Sequence, residues 1–191
     1  MVKLIKGGVL GGLILFIWGA VSWMALPWHT STLHKFKNEA EVEEVIAKNS
    51  PRSGVYILPN PHRHEPGASL EEMDRREAEG NEKIRKGPLI FVSARLGTGD
   101  SMGLLMAKSL AIQMAAALLV TWMASSASGL GYFRRVLFVT VFGLAAGVVG
   151  HLPHWNWWGF SEAFTMAEAA DLVIGWLLAG LVIAKILEPK R

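Results

Sequence analysis

The sequence predicts a polytopic α-helical membrane protein: four transmembrane helices, with a small α+β extracytoplasmic domain inserted between the first and the second. Three observations carry that prediction. Of the 191 residues 51% are hydrophobic, only 18% are charged and mean hydropathy is +0.32, whereas soluble domains carry roughly 25% charge. The apolar residues fall into four runs. The charge is concentrated in one window between the first two runs. With no cysteine, a disulfide-stapled secreted module is excluded.

Residues 1–6, with Lys3 and Lys6, are expected to be a short cytoplasmic N-terminus. The first span is 7–27, GGVLGGLILFIWGAVSWMALP, without a charge. At about 1.5 Å per residue it matches a hydrocarbon core of roughly 30 Å. It exceeds the roughly 7–15 apolar residues of a signal peptide, so a retained anchor is expected rather than a cleaved leader.

Residues 28–100 are the expected extracytoplasmic domain. Asn38-Glu39-Ala40-Glu41 opens a helix and Pro51 stops it. Val55 to Leu58 reads as a strand, followed by the loop NPHRHEPGAS. Ser69 and Glu72 cap a second, polar helix; Gly87-Pro88 ends it before the strand Leu89 to Ala94. A domain of about 70 residues has a marginal core and is expected to lean on another surface. Gly97-Thr98-Gly99-Asp100 lacks the Lys-Ser/Thr of a phosphate loop and reads as a turn.

The second span is 101–124, interrupted by Lys108 and Gln113, and a cytoplasmic loop 125–131 follows. The third span is 132–150. Pro153 and Gly159 then give an extracytoplasmic aromatic loop, 151–164, expected to lie flat on the membrane surface. The fourth span is 165–187, with Thr165 and Glu168 as its capping box, and 188–191 form a cytoplasmic C-terminus.

Orientation follows from basic residues in the flanks. Lys3, Lys6, Arg134, Arg135, Lys185, Lys190 and Arg191 share one side; the 28–100 segment balances 11 Lys/Arg against 12 Asp/Glu. The basic side is expected in the cytoplasm. That places the chain in a bacterial cytoplasmic (inner) membrane with both termini inside. Trp23, Trp28, Trp155, Trp157 and Trp158 then form the outer interface anchors.

All six histidines fall on the outer side. His62 and His64, two apart in an extended loop, point the same way, and with His151 and His154 they make a candidate metal set for zinc or copper. The competing reading is plain surface solvation. Lys108 and Asp171 each lie one to two turns inside the outer ends of their spans and are the candidate structural ion pair; snorkelling of Lys108 is the alternative. Small residues recur four apart, as Gly7/Gly11, Gly8/Gly12, Gly103/Ala107/Ala111/Ala115, Gly143/Gly147, Gly175/Ala179 and Gly180/Ala184. Such stripes let helices approach closely, within the bundle or against partner subunits.

No nucleophile elbow, Walker loop, dinucleotide fingerprint or haem-attachment motif is present, so no catalytic residue and no particular cofactor is assigned. The expected function is a non-catalytic accessory or assembly subunit of a larger membrane complex. The alternatives are a metal- or cofactor-binding membrane protein using the outer histidines, and a small transporter or membrane-embedded enzyme. Expected partners are the lipid bilayer and other membrane subunits or second copies of the chain. Nucleic acid is excluded because the basic residues sit at membrane flanks.

Overall fold

The computed structural model describes residues 1–60, 67–127 and 129–189. Among the described residues, four helices are long and apolar enough to cross a membrane: α1 (Val2–Met24), α4 (Met102–Ser126), α5 (Tyr132–Trp158) and α6 (Glu162–Leu187). The chain is a multi-pass helical membrane protein. Between α1 and α4 lie α2 (Glu39–Asn49), β1 (Gly54–Leu58), α3 (Leu70–Lys86) and β2 (Ile90–Ala94). The chain divides into two units, Met1–His34 with Asp100–Arg191, and Lys35–Gly99.

In the first unit, α1 lies between α4 and α6, and α5 packs on the far side of α6. Glycines bring α1 close to its neighbours. A Cβ at Gly12 would lie 2.5 Å from the Met114 Cα, and one at Gly11 3.0 Å from Ile183. Gly143 gives the same access to Trp176, and Gly180 to Val139. The core of Leu15, Ala117, Val120, Ala124, Val139, Trp176, Ala179 and Ile183 lines these contacts. The stripes on α1, α5 and α6 are thus used inside the bundle. The stripe on α4 is different: Gly103, Ala107, Ala111 and Ala115 are all exposed, as is every residue from Ser101 to Ser109.

Several helix ends depart from the sequence expectation: α1 takes in residues 2–6 and ends at Met24 rather than at 27, α4 runs on to Ser126, and two ends shift further. The third span does not stop at residue 150: α5 continues through Pro153 to Trp158. Proline there removes one hydrogen bond to the carbonyl four residues back, yet the helix runs through it. The terminator is Gly159, left-handed at φ 70°, whose N–H returns to the His154 carbonyl. Residues 151–158 are therefore helix rather than a loop. The fourth span also begins earlier, because Ser161 Oγ accepts from the Phe164 amide at 3.2 Å. Thr165 and Glu168 are released from the cap assigned to them.

In the second unit the order α-β-α-β is as expected, and β1 pairs antiparallel with β2, Gly54 opposite Ala94 and Leu58 opposite Ile90. Asn38 and Ser69 cap α2 and α3. A compact α+β domain is not evident. Neither helix packs extensively on the hairpin, and among the described residues of this unit only Ser50, Gly80 and Ala94 are buried. The helix α3, LEEMDRREAEGNEKIRK, has too few apolar side chains to close a core.

Candidate functional site

The most heavily buried polar group of the bundle is a cluster around His29 at its tryptophan-rich end. Past α1, Pro27 turns the chain and a short 3-10 turn, Thr30–Thr32, follows. Between them His29 is held with 0% of its surface exposed. Trp23 stacks on the imidazole face, centroids 4.1 Å apart and 5° from parallel, and Trp28 meets it edge-on at 5.5 Å. Buried Ser22, from the last turns of α1, sits beneath: its Oγ accepts the Trp28 indole N–H at 2.9 Å and lies 2.9 Å from His29 Nε2.

The opposite wall is α6. Glu168 and Asp171, three apart, share a helix face. Glu168 Oε1 lies 3.1 Å from His29 Nδ1, and Asp171 Oδ2 lies 3.8 Å from Nε2. Both carboxylates are more than four-fifths buried, at 18% and 17% side-chain exposure. Trp18 Nε1 donates to the Asp171 carbonyl at 3.1 Å, tying α1 to the same turn of α6. The Nδ1–Glu168 contact has ion-pair distance but poor alignment, so His29 Nδ1 and Glu168 Oε1 make no hydrogen bond; Asp171 Oδ1 has no partner either.

This is a site short of hydrogen-bond partners. Two carboxylates face one imidazole, and three buried polar atoms await donors or acceptors. If Ser22 donates to Nε2, the ring proton sits on Nδ1 and faces Glu168. Among the described residues no group of three His, Asp or Glu side chains is arranged to hold a metal ion.

The residues proposed from sequence are dispersed. Lys108 and Asp171 do not pair: Lys108 Nζ turns back along its own helix to Asp100 at 2.7 Å, while Asp171 belongs to the His29 cluster. The reason is packing, because the half of α4 that starts at Met102 is exposed and does not approach α6. His151 and His154 do share a cavity of about 20 Å³ with Phe160, Phe164 and Thr165; His154 Nδ1 lies 3.0 Å from the Gly150 carbonyl. His62 and His64 lie outside the described residues. Of the aromatic anchors, Trp23, Trp155 and Trp157 are exposed and Trp158 is half-buried on the end of α5. Trp28 turns its indole N–H inward to Ser22.

Sequence reasoning missed His29 and Glu168 as partners. His29 stood among interfacial residues, and Glu168 was spent on a helix cap; the signal was the Glu-x-x-Asp spacing on one face of an apolar helix. Compared with protein-family models, with curated proteins and with solved structures, the chain matches none.

Proposed function

We propose that this chain is a non-catalytic accessory or assembly subunit of a larger complex in a bacterial cytoplasmic membrane, with both termini in the cytoplasm and Lys35–Gly99 outside. The observation that carries the reading is unsatisfied surface in both units. The segment Lys35–Gly99 forms regular elements without a core, leaving Phe36, Val45, Val55, Leu58, Leu70 and Met73 exposed. The outer half of α4 presents an unused small-residue stripe flanked by exposed Leu104, Leu105 and Ile112. Surfaces of both kinds are completed by partner subunits. The orientation rests on Lys3, Lys6, Arg134 and Lys185 at one end of the spans.

Isolation of the full chain from native membranes in mild detergent tests this. Photo-crosslinkers at Met73 and Ile112 are expected to trap protein subunits in fixed proportion. A lone chain whose crosslinks reach only lipid would refute it. The metal-binding alternative draws on the pairing of His151 with His154 around one cavity; stoichiometric metal in the purified protein would favour it.

A further inference from the structure

We propose that the basic end of the bundle holds a phosphoryl anion on Arg135. A cavity of about 890 Å³ opens there between the start of α5 and the end of α6, lined by Gly129, Gly131, Tyr132, Arg135, Lys185 and Glu188 among others. Arg135 is 8% exposed, and its Nε, fully buried, has no hydrogen-bond partner. No acid among the described residues pairs with it. A buried guanidinium is costly unless an anion meets it.

The backbone adds attraction at the same place. The helix α5 starts at Tyr132 with Gly131 as its N-cap, and no side chain caps the free amides of the first turn. Gly131 and Tyr132 border the cavity, so the positive end of a 27-residue helix meets it one turn from Arg135. The one acid on the lining, Glu188, is already engaged: Lys185 Nζ donates to its Oε2 at 2.8 Å, and Lys3 donates to its carbonyl and, at 3.4 Å, to that of Leu187. The negative end of α6 is thereby covered by cations.

A planar fork, first-turn amides and a flanking ammonium are the recognition set of a phosphate group. The cavity is far larger than one phosphate, leaving room for a substituent. Arg135 lies one turn inside the end of its span, the depth of lipid headgroups. The group is therefore the phosphate of a membrane lipid or a free phosphate; both present the same oxygens.

Native mass spectrometry of the delipidated full chain in detergent separates these sources. Wild type is titrated with phosphatidylglycerol, with uncharged diacylglycerol, and with inorganic phosphate as ligand and competitor. Phosphatidylglycerol is expected to bind roughly tenfold or more tighter than diacylglycerol. Displacement by millimolar phosphate identifies a free-phosphate site, and resistance to it a headgroup site. Arg135→Met is expected to lose the preference and Arg135→Lys to retain part of it, while Phe133→Ala, exposed on the same turn, keeps it. Equal binding of diacylglycerol and phosphatidylglycerol to wild type, with no phosphate adduct, overturns the proposal whether or not the variants fold. So does an undiminished preference in a folded Arg135→Met.

Discussion

Replacing Gly12 by alanine tests the packing that leaves half of α4 free. A Cβ there would meet Met114 at its Cα (2.5 Å), N (2.7 Å) and Cγ (2.8 Å). Carbon atoms normally rest about 3.5–4.0 Å apart, so α4 must retreat by roughly 1 Å. Two of the three obstructing atoms are backbone, and a rotamer change cannot relieve them. Overpacking of this kind costs about 1–3 kcal/mol. Alanine recovers up to about 1 kcal/mol of helix propensity. The upper end of the cost applies where backbone is struck, which leaves a net loss of about 1–2 kcal/mol. Gly19→Ala is the control, since nothing lies within 4 Å of its added carbon; it should be neutral or slightly stabilising. Loss of helical circular dichroism in an SDS titration of the detergent-purified protein reads both. A Gly12→Ala variant as stable as Gly19→Ala would show that α1 and α4 do not meet at this register.

The remaining predictions concern the cluster, the surface pair and orientation. His29→Leu leaves Glu168 and Asp171 largely buried without their imidazole; because both keep some exposure, the loss should be about 2–3 kcal/mol, below the full range for a broken buried pair. Adding Glu168→Gln and Asp171→Asn to His29→Leu should restore at least half of it in the same titration, and strict additivity would refute the coupling. Lys108→Gln, breaking only the exposed pair with Asp100, should change stability by less than about 1 kcal/mol; a loss matching that of Asp171→Asn would show that Lys108 has a buried partner after all. A cysteine at Asn81 should react with an impermeant thiol reagent on intact cells and one at Arg134 should not, and the reverse pattern would invert the orientation.

The four spans were legible because a bilayer demands long, mostly apolar helices, a demand written directly into composition at 7–27, which has no charge, and at 172–184 within the fourth span. The ends were less legible because they depend on one hydrogen bond each. Pro153 reads as a break, yet one missing donor near a terminus does not outweigh the turn that follows. Ser161, not Thr165, caps α6 because its hydroxyl reaches the Phe164 amide. That one-turn shift matters for the site. With Glu168 as a capping residue the cluster cannot be read at all; as the seventh residue of α6 it falls three before Asp171 and faces His29. Nothing in a linear sequence places His29 there, since the chain must first turn at Pro27 and fold Trp28 over Ser22.

The two ends of the bundle carry complementary deficits, and this connects the site to the proposed role. At the tryptophan-rich end two carboxylates share one imidazole and lack donors; at the basic end a buried guanidinium nitrogen lacks an acceptor. Both lie on contacts made by α6: His29 links it to the chain leaving α1, and Arg135 stands on α5 beside its final turn. Both groups therefore stand at helix contacts whose buried polar atoms are left without partners. In contrast, α4 carries neither group and contacts the rest of the bundle mainly through its half near Ala117 and Val120. On the proposed reading, the exposed half of α4 is the surface a partner subunit would cover.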